Sequence, residues 1–292
     1  MPKHALNTLC AVCLLTLAFT LSAPKLQAQL ITLDYPNSTE TDCNDINING
    51  TIVGFYADSS GVDHGFAQVK GVLNSVDIPG AATTYLYGVN DTDHAVGWYV
   101  DSAEVTHGFM MGIGQNYETL DYPNAMATEA WGINNSGVIV GTWVDSAGAY
   151  HGFVRHRFGN YQDYDAPNGA TLTEITGIND AGDIVGIYDD SSGVEHGFAL
   201  ANGTFTPINF PGTGIAVTST DRINKYGEVV GLYGTSTSGP FSGYDAKPGQ
   251  PFNTVMYPGS TETRVRGLNV KGVIVGRYTD TNSVIHGFYG TP

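Results

Sequence analysis

DYPNAMATEAWGINNSGVIVGTWVDSAGAYHGFVRHRFGNYQDY, residues 121–164, is one full period of a repeat that fills the chain. Its turn proline recurs at Pro36, Pro79, Pro123, Pro167, Pro211 and Pro258, spaced by 43, 44, 44, 44 and 47 residues. A second row runs in step with the first. Val53, Val96, Val140, Val185, Val230 and Val275 are each followed by glycine, one variable residue, and then Tyr56, Tyr99, Trp143, Tyr188, Tyr233 or Tyr278. A period of this size outweighs any single motif, because such a unit buries its core only by stacking on its neighbours.

Within 121–164 four short runs, 128–134, 138–145, 151–156 and 160–164, are parted by turn signals. Asn-Asn-Ser-Gly at 134–137 and Asp-Ser-Ala-Gly at 145–148 mark hairpins, where glycine supplies the positive φ that such turns need. No helical periodicity follows the first 28 residues. Four antiparallel strands in each of six repeats predict an all-β, six-bladed β-propeller. The phase of the repeat predicts how the ring closes. The last unit stops at Pro292, soon after His286-Gly287-Phe288 and without a fourth strand, while LITLDYP at 30–36 matches the fourth-strand segments of other repeats. The N-terminal strand is expected to close the last blade and remove a free sheet edge.

Residues 1–28 read as a signal peptide: Lys3 and His4, an apolar run over 9–21, then small residues with cleavage expected after Ala28 or, second, after Ala23. The propeller then occupies 29–292, and the expected location is secreted, periplasmic or extracellular. Loss of Lys3 and Lys25 leaves 28 acids against 10 bases, a net charge of about −18. So acidic a chain lacks the basic patches that neutralise phosphates, which argues against nucleic acid and anionic membranes as partners. A hydrophobic content of 41% with 11% aromatics supports a buried core and argues against disorder. No membrane span is expected beyond the leader, and Cys43 alone remains, so no intrachain disulfide forms.

The consensus G-I-N-x-x-G-x-I-V-G-x-Y-x-D-x-x-G-x-x-H-G-F resembles the HAF-type probable extracellular repeat family of bacteria, with HGF in place of the usual HAF. The resemblance spans essentially all of 30–292. It implies an exported repeat protein with no settled activity, so no catalytic residue carries over.

Asp58 and His64, Asp101 and His107, Asp145 and His151, Asp190 and His196, and Asp280 and His286 keep one separation, and the fifth unit loses both, with Thr235 and Ser242 in their places. Joint loss points to side chains that bond to each other and latch a hairpin. A metal or proton-transfer site is the alternative. Blades spaced like packed sheets put their histidines too far apart to share one ion, and Asp-x-x-Gly alone offers too few oxygens for calcium. No metal and no cofactor is expected, and phosphate-loop, His-Glu-x-x-His and nucleophile-elbow motifs are absent.

Positions where the copies differ are the better candidates for function. Counting back from the repeat asparagine (Asn47, Asn90, Asn134, Asn179, Asn224, Asn269), the fourth residue is mostly apolar: Cys43, Leu86, Ala130, Ile175, Thr220, Val265. The fifth row is Asp42, Tyr85, Glu129, Glu174, Ser219 and Arg264, and the third row is Asn44, Tyr87, Trp131, Thr176, Asp221 and Arg266. Both rows are expected to ring the channel. The expected ligand-binding residues are Asp42, Tyr85, Tyr87, Glu129, Trp131, Glu174, Arg264 and Arg266, and the plain alternative is contacts between blades. Aromatic faces beside carboxylates suit a glycan, although another extracellular partner fits as well. A polysaccharide-active enzyme using two of Asp42, Glu129 and Glu174 is the runner-up, and an adhesive surface protein is the third reading. Arg264 and Asp42, equivalent residues of the last and first units, are expected to pair at the seam.

Overall fold

The computed structural model describes residues 29–292, and the expected leader lies outside the described residues. The described residues form 24 strands and no helix. Repeat three folds as Ala127–Ile133, Ile139–Val144, Tyr150–Arg155 and Tyr161–Tyr164, each within one residue of the boundary that its turn signals predict. The hairpin glycines behave as expected, with φ of 76° at Gly137 and 84° at Gly148.

The fold is an all-β propeller of four-stranded antiparallel ladders. Its sheets do not separate into six: repeats two to five each form their own four-stranded sheet, whereas the first and last share one of eight strands. One parallel pair, Glu40 with Ile285, joins the two halves of that sheet. The N-terminal strand Gln29–Leu33 lies antiparallel on Ile285–Thr291, from Gln29 opposite Thr291 to Leu33 opposite Gly287. The start of the chain therefore supplies the strand that its last repeat lacks and covers that edge.

The first strands of the repeats are Glu40–Ile46, Thr83–Val89, Ala127–Ile133, Leu172–Ile178, Val217–Ile223 and Glu262–Leu268. Each packs against the next and the last against the first, a closed ring about a central axis. Glycine permits the close approach: a Cβ on Gly132 would stand 3.2 Å from Gly177 Cα, and one on Gly267 only 2.7 Å from Asp45 Cα. The core lies between repeats, as where Val53 of the first meets Leu86 and Phe109 of the second. Gly54 faces Phe66 and Tyr56 faces His64, the register expected from the hairpin.

The fifth repeat departs from the others in a compensated way. Tyr244 stands where the other repeats have phenylalanine, and Thr220 stands in the otherwise apolar row. Both are fully buried, and their hydroxyls are 2.8 Å apart.

Candidate functional site

Every inner strand carries the same irregularity. In repeat three Ala130 pairs with Gly141 and Gly132 with the adjacent Val140, so Trp131 is the extra residue of a bulge. Asn44, Tyr87, Thr176, Asp221 and Arg266 hold the same place in the other repeats. A bulge bends its strand and re-aims a side chain. Six of them at one level turn the third row toward the axis.

The residue after the bulge is glycine in four repeats but Asp45 in the first and Arg222 in the fifth. The Arg222 guanidinium donates to the carbonyls of Thr176, Tyr87, Trp131 and Asp221, the last two at 2.9 and 2.8 Å. Its Nε stands 3.5 Å from Asp45 Oδ2. One cation thus gathers carbonyls from repeats two to five and a carboxylate from repeat one. The channel is plugged there, and the part of it that the two rows surround, on one side of the plug, is the funnel. Beyond the plug, the repeat asparagines rim a pocket that reaches Asp45 and Arg222. Asn47 Nδ2 donates to Asn90 O at 2.9 Å and Asn269 Nδ2 to Asn47 O at 3.1 Å, with similar links through Asn90, Asn134 and Asn179.

The funnel has three sectors. Repeats two and three present aromatics: Tyr87 meets Trp131 edge-on at 4.2 Å, Tyr85 lies 3.9 Å from Trp98, and Phe55 of the first repeat abuts Tyr85 at 5.0 Å. The Tyr85 hydroxyl donates to Asp63 Oδ2 at 2.6 Å. Repeats three and four present carboxyls. Burial pushes Glu129 up to about 7. Burial, together with the Glu129, Glu195, Asp189 and Asp221 carboxylates, pushes Glu174 up to about 8. Neither has an ion-pair partner among the described residues. Repeats five, six and one present paired charges: Arg266 with Asp221 at 3.1 Å, Arg264 with Glu262 at 2.6 Å, and Arg277 with Glu40 at 2.9 Å.

The structure therefore brings Asp42, Tyr85, Tyr87, Glu129, Trp131, Glu174, Arg264 and Arg266 to one ring, and it corrects the pairing expected at the seam. Arg264 turns to Glu262 and stacks over Phe241 at 4.6 Å, while Asp42 receives Arg277 at 3.5 Å. The physical reason is the register: Arg264 faces Arg277 across its own sheet, and the two cations part to different carboxylates. Arg277, Arg222, Asp45 and Trp98 lie outside the rows singled out from sequence. Asp45 and Arg222 were detectable as the breaks in the glycine column.

The histidines sit apart from the funnel, on the third strands. Hairpin Asp58 accepts Ser60 and Val62 N–H through Oδ1 and stands 3.6 Å from His64 Nε2 through Oδ2. The closer partner is one that sequence reasoning missed: Asp77 at 2.8 Å from Nδ1, with Asp121, Asp165, Asn209 and Asp34 in the equivalent places. The signal was available, because the fifth repeat has Met256 there and so loses all three members together. Among the described residues no group of three or more His, Cys, Asp or Glu is arranged to hold a metal. A separate cavity of 570 Å³ lies between repeats two and three, beside His94, Arg155 and the exposed Phe158.

No family model matches the chain. No curated protein matches it either. Solved structures do resemble it. A mutant of Aleuria aurantia lectin in complex with Fucα1-6GlcNAc aligns with TM-score 0.53 and 10% identity over 89% of this chain and 93% of that one. The SapL1 lectin in complex with alpha methyl fucoside aligns with TM-score 0.55 and 12% identity over 86% and 93%. A streptogramin B lyase aligns with TM-score 0.52 and 8% identity over 90% and 98%. Such identities show the propeller fold alone, and a fold shared by lectins and a lyase does not decide between binding and catalysis. No helix among the described residues is long and apolar enough to cross a membrane.

Proposed function

We propose that this chain is an exported, non-catalytic propeller of six blades, the eight-stranded sheet counting as two, that binds a glycan at the funnel mouth. Its repeats resemble those of the HAF-type extracellular repeat proteins, and the signal-like leader fits that export. One observation carries the binding reading. Asp42 Oδ1, Asn44 Oδ1, Thr142 Oγ1 and Asp221 Oδ2 are buried around the funnel with no hydrogen-bond partner, and the indole N–H of Trp98 is likewise unpaired. Each such group costs on the order of 1–3 kcal/mol. Idle acceptors and an idle donor beside aromatic faces match a polyol, whose hydroxyls do both and whose apolar faces stack. The sugar-bound lectins among the fold neighbours support the same reading.

The enzymatic alternative needs an acid and a base whose environments push their pKa values apart. Glu129 and Glu174 are instead pushed the same way by the same cause, burial. That pair therefore does not divide into an acid and a base. A glycan array on the mature protein, followed by calorimetry, tests the reading: a retained glycan should bind about tenfold or more weakly to Trp131→Ala and emerge uncleaved. An array with no retained glycan would refute binding, and released fragments would favour the enzyme.

A further inference from the structure

We infer that the glycan is an amino sugar with a free amine, its ammonium held between the Tyr87 and Trp131 rings and the carboxyls of Glu129 and Glu174. This rests on the glycan-binding reading above and narrows it. The funnel's charges are unevenly spent. Arg222 is matched by Asp45, Arg266 by Asp221, Arg264 by Glu262 and Arg277 by Glu40, with Asp42 close by. Glu129, Glu174 and Glu195 have no Lys, Arg or His within ion-pair distance among the described residues. The groups left over in this sector are carboxyls without a cation, and they adjoin the aromatic wall.

A second observation points to a ligand in the same sector. Thr142, 1% exposed, is the cross-strand partner of Glu129, and its Oγ1 is unpaired. Asp221, on the next inner strand after that of Glu174 and 6% exposed, leaves Oδ2 without a donor. These acceptors ask for hydrogen-bond donors. An ammonium supplies three of them and a positive charge, and aromatic faces attract that charge. None of the cation–aromatic contacts among the described residues involves Tyr87, Trp98 or Trp131, so no cation of the chain is spent on that wall. An ammonium laid here would favour the ionised form of these carboxyls, which a neutral sugar cannot do. An acidic sugar would meet unpaired carboxyls on one side and arginines already matched on the other. A metal ion would need converging ligands, which this sector lacks. The net charge of −16 further draws cationic ligands to the molecule.

Calorimetry with a β1,4-linked glucosamine tetramer, its fully N-acetylated counterpart and spermidine tests this at physiological salt. The amine-bearing tetramer should bind about tenfold or more tightly than the acetylated one. Glu129→Gln and Glu174→Gln should each lose about tenfold for the amine tetramer, while Glu104→Gln on an outer hairpin should bind as the parent does. Circular dichroism and melting of each variant establish folding, and Thr142→Val probes the same sector should a glutamine variant misfold. Equal affinity for both tetramers would overturn the amine assignment and leave glycan binding intact. Spermidine binding as tightly as the amine tetramer would overturn the sugar. Binding of none of the three, with another glycan retained on the array, would overturn the amine assignment alone. Binding of none, with an empty array, would remove both readings.

Discussion

Arg222 of the fifth repeat and Asp45 of the first stand 3.5 Å apart over the channel axis, in places that are glycine in the other four repeats. The two departures compensate each other. Both residues are buried, so Arg222→Gly would leave a buried carboxylate without its cation. That should cost about 3–5 kcal/mol in urea unfolding. Asp45→Gly added to it should recover part of the loss, though not all, because Asp45 also accepts the Ile46 and Val89 N–H groups. Strict additivity of the two changes would show that the pair is not coupled.

The fifth repeat offers a neutral counterpart. Tyr244→Phe restores the residue found in the other five repeats, yet it strands the Thr220 hydroxyl in a core where both residues are fully buried. It should destabilise by about 1–3 kcal/mol. Tyr244→Phe with Thr220→Val should regain most of that in the same melt, whereas a double variant no better than the single would separate the two substitutions.

How far the sequence carried can be judged from particular residues. Repeat spacing located the strands, the Gly54–Phe66 register and the closing strand Gln29–Leu33, because each follows from hydrophobic period and turn chemistry that every copy restates. The two rows facing the funnel were legible for the same reason. The plug was not, because averaging over copies discards the exceptions, and Arg222 and Asp45 are informative only as exceptions. The seam failed differently: Arg264 shares a repeat position with Asp42, but side-chain pairing depends on register across the sheet, which sets Arg264 against Arg277. Asp77 as the closer partner of His64 needed the fourth strand placed beside the third.

The histidine sites predict a pH dependence. Burial alone would lower the His64 and His151 imidazoles, but Asp77 with Asp58, and Asp165 with Asp145, outweigh it and hold both above the usual value. A raised folded pKa stabilises fully below the unfolded value of about 6.5, and that stability is lost as pH rises through the folded value. Asp165→Asn should therefore lower Tm at pH 5.5–6 and change it little at pH 9. An equal loss at both would mean that the imidazolium is not what Asp165 stabilises.

Removing 29–36 should expose the Ile285–Thr291 edge and give a protein that aggregates or unfolds early. The synthetic peptide supplied in trans should partly restore the melt. A truncated chain that melts like the parent would show that the closing strand contributes nothing to the last sheet.

The funnel glutamates predict a second pH effect with an origin distinct from the histidines. Burial holds Glu129 near about 7 against the lowering effect of the Trp131 indole, and burial with the Glu129, Glu195, Asp189 and Asp221 carboxylates holds Glu174 near about 8. Between the ordinary glutamate value of about 4.3 and these values the folded state binds more protons than the unfolded one, so stability falls as pH rises through that window. The loss should be on the order of 2 kcal/mol per group, allowing for the solvent that reaches half-buried side chains. Glu129→Gln and Glu174→Gln remove the ionisation and keep the shape. Each should flatten the decline between about pH 4.5 and 8 and raise Tm at pH 9, whereas Asp165→Asn lowers Tm at the acid end. Carbon-detected NMR titration of the two carboxyls gives the values directly. Midpoints near 4.3 would show that solvent reaches them freely, and glutamine variants with an unchanged decline would place its origin elsewhere.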